Sequence, residues 1–160
     1  MRILFATSEM VPFSKTGGLA DVAGGLSKAL RKLGHEVAAI VPYYKITKQK
    51  GLPAEDMDLP FAVPMSNREE YGEIFRLVQQ DGTVVYFIGK EAYYDRDQLY
   101  GTPQGDYPDN AERFIFFSKA IIQACRVLNY RPDVIHCNDW QTGLVPIYLR
   151  TMETVDPSFK

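Results

Sequence analysis

Residues 15–22, with the sequence KTGGLADV, constrain the fold most, because they lie between an apolar run at residues 3–6 and a stretch of helical periodicity. A strand, a loop with two glycines and a helix in this order form a cradle for anions. Gly17 and Gly18 let a ligand approach the backbone, and the helix start offers unpaired N–H groups. Lys15 adds a mobile positive charge. An equally simple interpretation is a plain turn with a solvated lysine, and the glycine spacing fits neither G-x-G-x-x-G nor the P-loop motif.

The strand predicted at residues 2–7 and a second strand at residues 35–41 enclose a helix that begins near Gly18 and ends before Gly34. The expected apolar face of this helix consists of Leu19, Val22, Ala23, Leu26, Ala29, Leu30 and Leu33. A strand–helix–strand unit of this size is right-handed and has parallel strands. We therefore expect an α/β fold, a Rossmann-like parallel sheet with flanking helices. Ligands bind such sheets outside the carboxyl ends of the strands, where the Lys15 loop lies, so this position favours the ligand-binding interpretation.

The dipeptide Asp81-Gly82 lies between two β-rich runs at residues 71–79 and 83–88. Such a dipeptide between strands is a strong signal for a β-hairpin. Residues 61–63 are candidates for a further strand beside it. In a parallel sheet, this hairpin is either an insertion or an antiparallel extension.

The segment after the hairpin is rich in aromatic and charged side chains. Tyr94 and Tyr100, beside Asp95 and Arg96, suit sugar recognition, because an aromatic ring stacks on a pyranose and charged groups bind its hydroxyls. The alternative is that these tyrosines and Tyr93 pack the loop, while Asp95 and Arg96 form a surface ion pair. From the residues alone, the alternative is favoured.

A helix is predicted from Asp109 onward, with Asp109 and Glu112 as a D-x-x-E capping pair. The near-continuous apolar run at residues 114–117 predicts that this helix is buried on more than one side. Capping explains both acidic residues without any ligand. The roles of Asn110 and Arg113 stay open at this point.

A buried strand predicted at residues 134–137 runs into Asn138, Asp139 and Trp140, and a further helix follows. This is another strand-to-helix turn at the ligand end of the sheet, and it is dense in hydrogen-bonding groups. Asp139 suits the N-cap of the helix, and a carboxylate at a helix start in a cleft also accepts hydrogen bonds from sugar hydroxyls. Trp140 is the only tryptophan, and a role as core anchor is a strong alternative to ligand binding.

Composition excludes several classes of function. A net charge of -2 argues against a nucleic-acid or membrane-surface partner. No apolar run is long enough to span a bilayer, and the N-terminus lacks the features of a signal peptide. Cys125 and Cys137 lack the C-x-x-C spacing, and no cluster of histidines and carboxylates suggests a metal site. We therefore expect reduced thiols in a cytoplasmic protein that uses no metal and no cofactor.

Three groups of residues resemble the bacterial glycogen synthases and plant starch synthases, which are retaining glucosyltransferases with a nucleotide-glucose donor. They are MRILFATSE with KTGGLADV at the N-terminus, YDR with YG and DNAERF in the middle, and HCNDWQTGL around residue 140. The resemblance covers essentially the whole chain and implies the two-domain GT-B fold. Residues 1–160 would then be part of the N-terminal, acceptor-side Rossmann-like domain. The T-x-H-N segment and the C-terminal nucleotide-sugar domain of the family are absent from the sequence.

The resemblance also implies roles at the donor side of the cleft. Lys15 and the backbone of Gly17 and Gly18 would neutralise the departing diphosphate, and Asp21 would line the same cleft. ADP-glucose is the implied donor, although the residues here do not separate it from UDP-glucose. Glucose would be added to an α-1,4-glucan with retention at the anomeric carbon.

At the acceptor side, the resemblance implies that Tyr94, Asn138, Asp139 and Trp140 contact the glucan or the transferred glucose, with Asp139 as the catalytic candidate. It leaves Tyr93 as a packing residue. Asn138 stands where some family members have histidine. An amide replaces a neutral imidazole as a hydrogen-bond partner but not as an acid or base, so no proton transfer is expected there.

We expect the isolated chain to transfer no glucose, because it carries only half of the cleft. Two alternatives remain, a free-standing flavodoxin-like module for a phosphate-bearing ligand and a non-catalytic glucan-binding fragment. A parallel sheet that lacks its last strands exposes an edge and an apolar face. Self-association through this truncated sheet is therefore a further expectation.

Overall fold

In the computed structural model, which describes residues 1–153, one mixed sheet carries an apolar core on each face. The described strands are β1 (Arg2–Ala6), β2 (Glu36–Pro42), β3 (Glu55–Asp56), β4 (Phe61–Met65), β5 (Arg68–Val78), β6 (Val84–Gly89), β7 (Gly101–Thr102), β8 (Gly105–Asp106) and β9 (Val134–Cys137). The described helices are α1 (Leu19–Lys32), α2 (Lys45–Lys48), α3 (Glu91–Tyr94), α4 (Asn110–Val127) and α5 (Val145–Glu153), with a 3-10 helix at Trp140–Thr142. The polar tail that the sequence predicts at residues 153–160 lies, after Glu153, outside the described residues.

The sheet has the order β3–β5–β6–β2–β1–β9, and β4 also pairs with β5. The four strands β6, β2, β1 and β9 are parallel, as the sequence predicts. Strand β1 lies between β2 and β9, and its side chains alternate between the two cores: Leu4 and Ala6 face one, and Phe5 faces the other. The carboxyl ends of these strands therefore lie along one edge.

The predicted hairpin is confirmed as an antiparallel extension of the sheet, with β5 paired to β6 and β4 paired to β5. Gly82 adopts a φ of +80°, which glycine tolerates and most residues do not. The Thr83 N–H donates to the carboxylate of Asp81 at 2.9 Å and fixes the turn. These local features agree with the turn that the sequence predicts.

Helix α1 has the predicted length, and Gly34 follows it with a φ of +85°. Its predicted apolar face is partly wrong, because Val22 and Leu33 are 54% and 73% exposed. The buried residues are Ala20, Ala23, Gly24 and Ser27, and only Ala23 belongs to the predicted face. They are small because the helix lies very close to the segment after β1: a Cβ on Gly24 would be 2.5 Å from Cγ2 of Val11.

Helix α4 is buried over most of its surface, as its apolar run predicts, and Phe114, Phe116 and Phe117 all lie in one core. Asp109 occupies its N-cap position, but the predicted side-chain cap is wrong. The Asp109 carboxylate accepts instead from both terminal nitrogens of Arg96, at 2.8 and 2.5 Å. The two charge-assisted hydrogen bonds from the guanidinium replace the single bond that a cap would make, which explains why this carboxylate binds Arg96. Glu112, the second residue of the predicted capping pair, accepts instead from Arg68 at 2.6 Å.

Candidate functional site

Three chain segments that follow parallel strands meet around one pocket of about 400 Å³. They come after β1, β6 and β9, at the edge where this type of sheet binds ligands. The volume lies within the range typical of small-molecule sites. The lining residues are Glu9, Thr16, Gly17, Gly18 and Leu19 from the first segment, Tyr100, Asp106 and Asn110 from the second, and Asp139, Trp140 and Gln141 from the third.

The two glycines of the first segment line the pocket without a structural need for glycine. Neither Gly17 nor Gly18 has a positive φ, and no atom lies within 4 Å of the position that a Cβ would occupy. Gly18 is the N-cap of α1, and no side chain caps the helix there. Open space beside a bare helix start is the geometry that lets an anionic group approach the backbone.

Lys15 and Asp21 form an ion pair at the mouth of this segment. The Nζ atom of Lys15 donates to both carboxylate oxygens of Asp21, at 2.9 and 2.7 Å. Both side chains are about half exposed, at 51% and 57%. Exposed pairs of this kind contribute little to stability, so Lys15 is able to exchange Asp21 for another anion. Neither residue lines the pocket itself.

Glu9 is a site residue that the sequence reasoning missed. It is only 3% exposed, and its carboxylate accepts from the Thr16 N–H at 2.5 Å, the Gly17 N–H at 3.3 Å, the Thr16 hydroxyl at 2.6 Å and the Tyr100 hydroxyl at 2.8 Å. Burial raises the pKa of this carboxyl, but the hydrogen bonds from Thr16, Tyr100 and Gly17 outweigh it and lower the pKa below its usual value. Its position directly after β1 was the available signal.

The aromatic residue that the second segment brings to the pocket is Tyr100, and the expectation for Tyr94 does not agree with the geometry. Tyr94 is 0% exposed, and its hydroxyl donates to the backbone carbonyl of Arg113 at 3.2 Å. Its ring packs edge-on against Tyr44 in the core. The structure therefore encloses Tyr94 behind the pocket, together with Tyr93, which is 5% exposed.

Asn110 and Arg113, whose roles the sequence left open, form one network under the second segment. Arg113 is fully buried and donates to the carbonyls of Tyr93 and Leu99, at 2.7 and 2.9 Å, and to Oδ1 of Asn110 at 2.7 Å. Burial lowers the pKa of this guanidinium. Asn110 in turn donates from Nδ2 to the Tyr100 carbonyl at 2.7 Å. Arg113 thus holds the loop that presents Tyr100.

The third segment places Asp139 and Trp140 at the pocket. Asp139 adopts a φ of +63°, a strained conformation for a residue other than glycine. Its carboxylate accepts from the Trp140 N–H at 2.7 Å and caps the 3-10 helix. The predicted cap of the following helix is therefore wrong, because α5 begins only at Val145. Trp140 is 54% exposed and is therefore not a core anchor. Its ring lies edge-on to Phe114, with the centroids 5.0 Å apart, which leaves much of the indole free for a ligand.

Asn138 is a structural cross-link in this turn and does not line the pocket. Its Nδ2 donates to the carbonyl of Ala6 at 2.9 Å and to the carbonyl of His136 at 3.1 Å, and the side chain is buried. These bonds join the end of β9 to the end of β1. Asn138 thereby fixes the position of Asp139 relative to the glycine loop.

The chemistry of the pocket suits a polyhydroxylated ligand. Carboxylate oxygens come from Asp106 and Asp139, and an amide comes from Gln141. Two aromatic rings, Tyr100 and Trp140, stand with their centroids 6.4 Å apart. Hydrogen-bond acceptors beside aromatic faces are the groups that bind hydroxyls and stack on sugar rings.

Comparison with known proteins shows which family shares these features. The family model described as the starch synthase catalytic domain matches residues 2–160. The glycogen synthase of Koribacter versatilis (strain Ellin345) is 47% identical over 159 residues, covering 99% of this chain and 32% of the relative. That of Syntrophotalea carbinolica (strain DSM 2380 / NBRC 103641 / GraBd1) is 48% identical over 160 residues, covering 99% of this chain and 33% of the relative. The chain thus spans about a third of the length of the curated relatives it matches.

A solved structure agrees with the sequence relatives. The catalytic domain of starch synthase IV from Arabidopsis thaliana, bound to ADP and acarbose, superposes with a TM-score of 0.81 at 32% identity. The match covers 92% of this chain and 30% of that chain. The expected α/β fold, as a partial N-terminal piece of such a catalytic domain, is therefore confirmed.

Proposed function

The chain belongs to the starch synthase catalytic domain family, and we propose that it is the N-terminal, acceptor-side part of a glucosyltransferase. The full-length protein would transfer glucose from ADP-glucose to the non-reducing end of an α-1,4-glucan with retention. The observation that carries this proposal is the meeting of the glycine loop and the Asp139–Trp140 turn on one pocket. ADP and acarbose, the ligands of the starch synthase IV structure, support a nucleotide and an oligosaccharide as ligands.

On the donor side, we assign the diphosphate to the backbone N–H of Gly18, which the open space beside Gly17 and Gly18 makes accessible, and to Lys15. The open space beside both glycines supports this role, and so does the exposed, exchangeable pair of Lys15 with Asp21. A cation and N–H groups aimed at a departing diphosphate stabilise the charge that develops there. Asp21 would hold Lys15 in place until the donor arrives.

On the acceptor side, we assign the sugar to Trp140, Tyr100 and Asp139. Trp140 offers an exposed indole face, and Asp139 presents a carboxylate from a strained backbone at the pocket. Asp139 is the catalytic candidate, since its carboxylate would contact the reacting sugar. Tyr100 takes the place that the sequence gave to Tyr94, because Tyr94 is buried. Asn138 acts through its bond to Ala6 and positions this turn.

The proposal requires more polypeptide than this chain. The relatives are about three times as long as the matched segment, and we infer that the remaining two thirds supply the domain that holds most of the nucleotide-sugar. We expect the isolated 160-residue chain to transfer no glucose. Within the described residues, no helix has both the length and the apolar character needed to cross a membrane. A cytoplasmic location is part of the proposal, and the free thiols of Cys125 and Cys137 fit a reducing compartment.

The test is glucosyl transfer from ADP-glucose to glycogen, measured with this chain and with the full-length protein that contains it. We expect transfer only in the full-length protein, and a loss of about 100-fold with Lys15→Ala. Lys28→Ala, at an exposed lysine of α1, is the matched control. Transfer by the 160-residue chain alone would contradict the assignment of the donor site.

A binding experiment separates this proposal from the phosphate-ligand module, and the transfer assay separates it from a non-catalytic glucan-binding fragment. Trp140 is the only tryptophan and lines the pocket, so its fluorescence reports on that site alone. We expect maltooligosaccharide to quench or shift this emission in the 160-residue chain without any nucleotide present. Saturation of the 160-residue chain by ADP or a flavin, with no response to maltooligosaccharide, would favour the phosphate-ligand module instead.

A further inference from the structure

The anion that the glycine loop binds in this structure is the carboxylate of Glu9. Its Oε2 atom accepts hydrogen bonds from the N–H groups of Thr16 and Gly17, and its Oε1 atom accepts hydrogen bonds from the hydroxyls of Thr16 and Tyr100. We propose that Glu9 is a positioning residue that ties the glycine loop to the Tyr100 loop and so fixes the diphosphate-binding backbone. This inference rests on the proposed function of the pocket. We call the set of hydrogen bonds between Glu9, Thr16, Gly17 and Tyr100 the Glu9 bridge.

The direction of the Thr16 and Gly17 N–H groups shows how this bridge fixes the loop. The Thr16 and Gly17 N–H groups point inward to Glu9, so they hold the loop rather than the ligand. Gly18, the N-cap of α1, remains with open space beside it and lines the pocket. Fixing the two preceding peptides in one orientation pre-organises the helix start for an anion and reduces the ordering that binding would otherwise require.

The other end of the bridge is anchored in the core. The Tyr100 hydroxyl also lies 2.8 Å from Oγ of Ser8, and the Tyr100 carbonyl accepts from Asn110. Asn110 is held by Arg113, which is fully buried. The glycine loop is thus connected, through Glu9 and Tyr100, to a rigid element that belongs to the acceptor side. A substitution of Tyr100 should therefore weaken the binding of the ADP-glucose donor.

Two substitutions of Glu9 distinguish the contribution of its hydrogen bonds from the contribution of its negative charge. In Glu9→Gln, the amide oxygen keeps the Thr16 and Gly17 N–H groups, and the amide NH₂ donates to the hydroxyls of Thr16 and Tyr100, which both accept as well as donate. Tyr100 then donates to Ser8. Glu9→Gln therefore retains the bridge without its charge, whereas Glu9→Ala removes it.

The experiment measures kcat and the separate KM values for ADP-glucose and glycogen in the full-length protein. We expect Glu9→Ala to raise the KM for ADP-glucose about tenfold or more, Tyr100→Phe to raise it about threefold to tenfold, and Glu9→Gln to stay within about threefold of the native protein. Glu55→Gln and Tyr71→Phe, both at exposed positions, are the matched controls. Equal damage by Glu9→Gln and Glu9→Ala would overturn the proposal, and so would a Tyr100→Phe effect confined to the KM for glycogen.

Amide hydrogen exchange gives a readout that does not depend on turnover. Thr16 and Gly17 should exchange slowly in the native chain and in Glu9→Gln, and rapidly in Glu9→Ala, while the amides of β1 and β2 keep their protection. If the native full-length protein transferred no glucose, the proposed function would fail, yet this exchange would still decide the bridge. Unchanged exchange at Thr16 and Gly17 in Glu9→Ala would overturn it.

Discussion

Gly18 and Gly24 lie in the same segment, but the space around their α-carbons differs. A Cβ on Gly24 would be 2.5 Å from Cγ2 of Val11, whereas no atom lies within 4 Å of a Cβ on Gly18. Gly24 is therefore required by the packing of α1. Gly18 has an ordinary φ of -70° and no packing reason to be glycine, which agrees with the proposed approach of a ligand to its backbone.

Gly18→Ala should therefore separate stability from function. We expect the free energy of unfolding to change by less than about 1 kcal/mol, because alanine fits this backbone and the space is open. In the full-length protein, the added methyl group should obstruct the diphosphate and lower kcat/KM for ADP-glucose about tenfold or more. Gly25→Ala, also in open space on α1, is the control and should leave both quantities near the native values. A native kcat/KM in Gly18→Ala would argue against backbone approach at this position.

At the scale of secondary-structure elements, the fold was predictable where local chemistry decides. The Asp81-Gly82 turn is such a case, since the φ of Gly82 and the bond from Thr83 to Asp81 involve neighbours in sequence. The strand–helix–strand unit from β1 to β2 is another, since hydrophobic periodicity and Gly34 define it.

The parts of the site that sequence reasoning missed depend on distant partners. Glu9 meets Tyr100, 91 residues further along the chain, and no spacing rule connects them. Tyr94 and Tyr100 look equally suited to a pocket in sequence, but Tyr94 is drawn into the core by Tyr44 and Arg113. The sequence predicts the wrong buried face for α1, because the close contact with Val11 leaves room only for small residues there.

The contact of α1 with the segment after β1 gives a prediction about packing. Gly24→Ala places a methyl group against Val11, and overpacking of this kind costs about 1–3 kcal/mol of unfolding free energy. Urea denaturation of the 160-residue chain measures this change. The matched substitution Gly25→Ala lies on the exposed side of the same helix and should be neutral or slightly stabilising. Equal stability of the two variants would mean that the helix moves away from Val11 without cost.

The loop between α3 and α4 gives a prediction about pH. Its Arg96–Asp109 pair lowers the pKa of the Asp109 carboxyl, with the hydrogen bond from Arg96 as the main cause. A pKa that is lower in the folded than in the unfolded state contributes stability above about pH 4, and this contribution is lost as the pH falls through the folded value. Asp109→Asn should therefore destabilise the chain at pH 7 and progressively less below pH 4. Parallel urea titrations with Asp95→Asn, at an exposed neighbour, provide the control, and a difference that grows at low pH would contradict the assigned sign.

At the scale of the whole molecule, the two strands at the ends of the sheet order, β3 and β9, differ in length and composition. β3 is a two-residue strand of acidic, exposed residues, Glu55 and Asp56, which discourage further pairing. β9 pairs with β1 on one side, and within residues 1–153 no strand covers its other side. Val134, the first residue of β9, is 38% exposed. An uncovered, apolar strand of a parallel sheet is a template for pairing with another chain.

We therefore expect the 160-residue chain to self-associate through β9, with a sedimentation coefficient that rises with protein concentration. Val134→Lys should shift the chain toward monomer, because a lysine on an edge strand introduces a charge that opposes pairing. Val78→Lys adds the same charge at an exposed valine of β5, a strand paired on both sides, and should leave the association unchanged. Sedimentation velocity over a wide concentration range measures all three proteins. A single monomeric species for the native chain throughout that range would contradict pairing through β9, and an equal effect of both lysines would assign the change to net charge instead.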